Sequence, residues 1–138
     1  MKKPLLMCFL LLTLILGACG GGGVEGETVS ITGALIGEDQ NGFRENIKAI
    51  EEATGIIVTY QGSDNFEQEI QIQMESGDTP DFALFPQPGG VVDAAQRGML
   101  TSLEDLGIDL EEYKSNFSPY LVSLGTVDGV IYGGANAA

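Results

Sequence analysis

The sequence predicts an α/β domain built on a parallel sheet. Two observations carry that expectation: β-branched runs alternate with stretches of helical apolar spacing, and turn residues separate them in a β-α-β-α-β order. Composition agrees with an ordinary globular chain, since 43% of the 138 residues are apolar and 19% are charged. Strands in that order run parallel and are joined by right-handed crossovers, which predicts a three-layer α/β/α arrangement.

Each element follows from its own residues. Thr28 to Leu35 is rich in β-branched side chains and reads as a first strand. Gly37 to Gly42 reads as a polar loop with Asn41 as the cap of a helix. Phe43, Ile47, Ile50 and Thr54 then recur at helical spacing, and Gly55 ends the run. Ile56 to Tyr60 is a second strand. Ser63 or Asp64 caps a second helix with Phe66, Ile70 and Met74 on one face, although Ile70 to Met74 also alternates like a strand. Gly77 to Pro80 breaks that helix.

Phe82 to Phe85 is a continuous apolar run, as expected of a strand buried on both faces. Pro86, Pro88, Gly89 and Gly90 form a loop, and Val91 to Arg97 a short helix closed by Gly98. Leu103 to Leu106, Leu110 to Phe117 and Tyr120 to Leu124 read as helical turns. Asp128-Gly129, between Val127 and Val130-Ile131-Tyr132, has the chemistry of a type I′ hairpin. In open parallel sheets ligands bind outside the carboxyl ends of the strands. Three connections, Ile36 to Gly42, Gln61 to Asn65 and Pro86 to Gly90, are therefore expected to share one rim.

The first 27 residues have a different character. Lys2 and Lys3 precede an apolar run from Leu5 to Leu16 that only Thr13 interrupts. Twelve helical residues reach about 18 Å, against about 30 Å of bilayer hydrocarbon, which is the size of a signal-peptide core and short of a membrane span. The run ends in Leu16-Gly17-Ala18-Cys19, which resembles the lipobox of bacterial lipoproteins. That resemblance implies a signal peptide over residues 1–18 and acylation of Cys19. Residues 19–27 are then a Gly-rich tether, and 28–138 the folded domain. Removing residues 1–18 takes Lys2, Lys3 and Cys8, and leaves 4 basic against 20 acidic side chains. With Cys19 the only remaining thiol, no internal disulfide is possible. Two or three acyl chains hold a protein durably to a membrane where one is marginal.

Charge and composition exclude several functions. A net charge of −14 argues against nucleic acid, whose binding depends on Lys and Arg neutralising phosphates. With no His and two Cys, neither a His/Cys zinc site nor a His-based triad can be assembled from these residues. No other metal or cofactor is expected: no D-x-D-x-D-G calcium spacing occurs, and Gly20 to Gly23 precedes any strand and lacks the Lys-Ser/Thr of a phosphate loop. Adjacent carboxylates such as Glu38/Asp39 and Glu51/Glu52 point apart on a helix or strand, so no pair is set across a scissile bond. An enzyme is not expected.

Four segments in order resemble the solute-binding proteins of carbohydrate ABC importers, the maltose-binding-like family. They are Glu52-Ala53-Thr54-Gly55-Ile56-Ile57-Val58 after an amphipathic helix, Met74 to Phe82 (MESGDTPDF), Gly98 to Leu103 (GMLTSL), and Asp128 to Gly133 (DGVIYG). Gly134 stands where that family usually has Pro. The resemblance covers Val29 to Asn136 and implies the N-terminal lobe of a periplasmic-binding-protein type II fold. A second lobe, with the ligand held between the two, is expected beyond these residues. It further implies a lipid-anchored protein outside the cytoplasm that captures a sugar or oligosaccharide for ABC permease subunits in the membrane. A sensing or adaptor lipoprotein on the same fold is the alternative. Sugar hydroxyls call for polar side chains and the ring's C–H face for an aromatic one. Glu38 and Asp39 after the first strand, Phe85 and Gln87 after the third, and Asn136 past the hairpin are the candidate ligand contacts.

Overall fold

A computed structural model describes residues 26–134. The expected signal peptide, Cys19 and Asn136 lie outside the described residues. The elements run β1 (Thr28–Gly33), α1 (Gly37–Thr54), β2 (Ile57–Gly62), α2 (Phe66–Ser76), β3 (Phe82–Leu84), α3 (Pro88–Gln96), α4 (Leu110–Asn116), α5 (Pro119–Leu124), β4 (Thr126–Val127) and β5 (Val130–Ile131). The first three strands form a parallel sheet in the order β2-β1-β3. Because β2 and β3 flank β1 on opposite sides, right-handed crossovers carry α1 and α2 over opposite faces. The expected helix–sheet–helix layering is thereby realised.

The core is small and comes from both helix layers. Tyr60, 6% exposed, meets Phe43 of α1 edge to face with ring centroids 4.9 Å apart. On the other helix, Phe66 and Ile70 are fully buried and Met74 half-buried, while Ile72 is 65% exposed. That pattern has a helical period, and it settles the Ile70–Met74 ambiguity in favour of a helix. Gly55 and Gly77 close α1 and α2 in the left-handed conformation.

Four expectations need correction. Gly37 to Gly42 is no loop: α1 begins at Gly37 with Ile36 as its cap residue, so Asn41 lies inside the helix. Glu38 and Asp39 occupy its first turn, where carboxylates are favoured by the exposed amides and dipole of a helix start. Likewise Gly89 and Gly90 belong to α3, which starts at Pro88, a residue suited to the first helical position because its missing N–H needs no partner there. Neither Ser63 nor Asp64 is the cap residue of α2, which is Asn65; the Ser63 hydroxyl accepts the Asn65 N–H instead (3.1 Å). Finally, β3 is not buried on both faces. It pairs only with β1 among the described strands, and Phe82 is 55% exposed.

The remaining residues are tied to a β4–β5 hairpin. Asp128 and Gly129 both have positive φ (52° and 85°), the geometry of the expected I′ turn. Leu103 N–H donates to Ile131 O (2.8 Å), Tyr132 N–H to Gly125 O (2.9 Å), and the Tyr113 hydroxyl to Gly133 O (3.2 Å). Asp109 caps α4 by accepting from the amides of Glu111 (2.9 Å) and Glu112 (3.1 Å). No described helix is long and apolar enough to cross a membrane.

Candidate functional site

The three parallel strands end level with one another. Gly33 of β1 is in register with Gly62 of β2 on one side and Leu84 of β3 on the other. The connections to α1, α2 and α3 therefore all depart from one rim at the carboxyl ends. In a 2-1-3 order the crossovers diverge to opposite faces between β1 and β3, and such a switch point leaves a crevice. The connections 34–36 and 85–87 bound it, and the first turns of α1 and α3 follow directly.

The expected contact residues can now be placed. Glu38 and Asp39 are exposed in the first turn of α1, where their carboxylates face solvent. Gln87 is the exposed cap residue of α3, and its side chain makes no capping bond, which leaves its amide free for solvent or solute. Phe85 follows β3 half-buried: its ring meets Phe66 edge to face at 5.4 Å and lies against Gly90, where a side chain would overlap it. Packing thus uses much of Phe85, and the rest borders an open cavity. The structure brings Phe85 and Gln87 together on one connection and sets Glu38 and Asp39 in the helical turn that follows the neighbouring one.

Sequence reasoning missed the residues that hold this rim in place. The Tyr60 hydroxyl, on β2, accepts the Leu35 N–H (3.0 Å) and donates to the Leu35 carbonyl (3.1 Å). Burial pushes the phenol above its ordinary pKa, outweighing the opposing effect of the Leu35 bond. Arg44 of α1 donates to the Tyr60 carbonyl (2.9 Å), binding helix to strand. Gly62 has no room for a side chain, because a Cβ there would overlap the Leu35 carbonyl and crowd Gln40 Oε1. The one available signal was glycine at a strand end, which marks close approach of another backbone.

That cavity, of about 690 Å³, runs from Phe85, Pro86 and Gln87 along β3 to Tyr113, Leu121, Leu124 and Tyr132. Its walls are mainly aliphatic and aromatic, which suits packing against protein more than binding of hydroxyls. Gln87 stands at its rim end, and Thr79, Asp81 and Thr101 add polar groups elsewhere along it. Among the described residues, no three or more His, Cys, Asp or Glu gather in a metal-ligating group.

Comparison with known proteins places the chain. No family model matches it. It is 38% identical over 124 residues to the osmoprotective compounds-binding protein GgtB of Synechocystis sp., an alignment covering 87% of this chain and 29% of that protein. It is 41% identical over 85 residues to the alpha-glucosides-binding periplasmic protein AglE of Rhizobium meliloti, covering 62% of this chain and 19% of that one. Its fold is similar to an ABC transporter solute-binding protein from Thermotoga lettingae bound with alpha-D-tagatose, with a TM-score of 0.57 and 28% identity over 79% of this chain and 28% of the other. The chain spans less than a third of the length of these relatives. The order of its elements, its parallel sheet and these likenesses agree: over most of its length the chain is similar to part of the solute-binding proteins of ABC transporters.

Proposed function

We propose that this protein binds a carbohydrate outside the cytoplasm and passes it to the permease subunits of an ABC importer. The observation that carries the reading is the 41% identity to an alpha-glucosides-binding protein. The tagatose complex of a structural relative supports the same ligand class, since both ligands are polyhydroxyl carbohydrates. Gln87 is suited to donate to and accept from sugar hydroxyls, and Glu38 and Asp39 to accept from them. Phe85 forms an apolar floor for a ring face, and Asn136, outside the described residues, adds a polar contact. A solute that bridges this rim and a second lobe favours a closed state, by as much as it binds that state more tightly than the open one. This is a binding role without catalysis. The acidic, Gly-tethered domain is held at the membrane by acyl chains on Cys19.

Thermal denaturation of the protein expressed from its complete gene tests the ligand class. A saturating saccharide, at about 100 times its Kd, adds about 2.7 kcal/mol and raises Tm by several degrees. Stabilisation by another solute class and by no saccharide would overturn the assignment. Mass spectrometry and membrane fractionation test the anchor: Cys19 carries acyl chains in the mature protein, and Cys19→Ala releases it from the membrane. An unmodified thiol in the mature product would contradict that part.

A further inference from the structure

We infer that Tyr60 is a positioning residue for solute binding, fixing the direction in which the chain leaves β1 for the rim. The inference rests on the rim being the solute contact proposed above. Tyr60 is itself remote in sequence from the rim side chains, and it acts on them through the backbone of Leu35. One hydroxyl satisfies both polar groups of that residue, accepting from its N–H at 3.0 Å and donating to its carbonyl at 3.1 Å. Two bonds to one residue fix its orientation as well as its position. Ile36, Gly37, Glu38 and Asp39 follow immediately, so this anchor sets where α1 begins and where its first two carboxylates stand.

The hydroxyl is held on every side. Its ring is 6% exposed and packs edge-on against Phe43, and the Tyr60 carbonyl is bound by Arg44, so α1 fixes Tyr60 as Tyr60 fixes the start of α1. Room for the hydroxyl exists because position 33 is glycine: a Cβ there would stand 2.8 Å from it. Gly62, two residues after Tyr60, lets the Leu35 carbonyl come down against β2. A phenol is already protonated at neutral pH, and burial raises its pKa further, so the proton given to Leu35 stays in place.

The test is Tyr60→Phe in the protein expressed from its complete gene, with Ile131→Val in the distant hairpin as a stability control. Phenylalanine keeps the ring packing and removes only the hydroxyl, so a cooperative melt is retained. Two readouts are followed, amide hydrogen exchange at Leu35 and Kd for the saccharide that stabilises the wild type. Tyr60→Phe is expected to speed exchange at Leu35 at least tenfold, to leave exchange in β1 close to wild type, and to weaken binding about fivefold or more. Ile131→Val, despite lowering Tm, leaves Kd unchanged. Unaltered Leu35 exchange, or a Kd shift no larger than the control's, overturns the inference. Should the wild type bind no saccharide, the functional reading fails separately, and Leu35 exchange alone decides whether Tyr60 positions the rim.

Discussion

Asp81 stands one residue ahead of β3, and its Oδ2 accepts both the amide (2.8 Å) and the hydroxyl (2.7 Å) of Ser30 on β1. The Asp81 N–H in turn donates to Ser30 Oγ (3.0 Å), so a side-chain pair extends the β1–β3 pairing beyond the Ile31–Phe82 step. The Ser30 amide first, and its hydroxyl second, hold the Asp81 carboxyl below the ordinary value of 3.8. A carboxyl whose folded pKa lies below its unfolded one stabilises the fold above the unfolded value, and that contribution is lost as pH falls through the folded one. Asp81→Asn is therefore expected to melt below wild type at pH 7, with the two Tm values converging as pH falls below 3.8 and through the lowered folded pKa. Equal melting at pH 7, or a gap that persists in acid, would refute the role. Individual side chains were legible unevenly. Gln87 was named because it lies in the connection after the third strand, where the family resemblance implies a ligand contact, and its side chain makes no capping bond. Tyr60 was invisible, because its partner Leu35 is 25 residues away and only strand pairing brings them together.

At the level of elements, α2 shows what a 3.6-residue period accomplishes. Phe66 and Ile70 vanish into the core while Ile72, between Ile70 and Met74, stays 65% exposed. Ile70→Ala should cost about 2–5 kcal/mol because it empties a filled core site, and Ile72→Ala about 0.5 kcal/mol or less. Urea unfolding of the two variants checks this, and equal losses would contradict the helical reading of this segment. The succession of strands and helices along the chain, the parallel sheet, the hairpin and the glycine stops of α1 and α2 were readable from residue type and spacing; the β2-β1-β3 order within the sheet was not. The starts of α1 and α3 were not. Gly37, Asn41 and Gly42 look like loop residues, and Gly89-Gly90 likewise, yet a helix start tolerates them when tertiary contacts fix the next turn. Phe43 and Arg44 against Tyr60 do that for α1, and Phe85 against Gly90 for α3. Glu38-Asp39 and Pro88 were the available helix-start signals, outweighed by the glycines beside them.

Across the whole molecule, one row of residues, Gly62, Gly33 and Leu84, brings three connections to a common edge. Alternation of strands and helices predicted that edge before any side chain was placed, because parallel strands must all end on the same side. What the sequence left unread is the long apolar cavity beside β3, which depends on how α4, α5 and the hairpin pack around an edge strand. In the proposed binding mode solute is held at the rim, and not at the far end of that cavity beside Tyr113 and Tyr132. Hydrogen exchange of the protein from its complete gene, with and without a stabilising saccharide, tests it most directly. Protection is expected at residues 35–40 and 85–90. Protection confined to residues 113–133, with the rim amides unchanged, would contradict it.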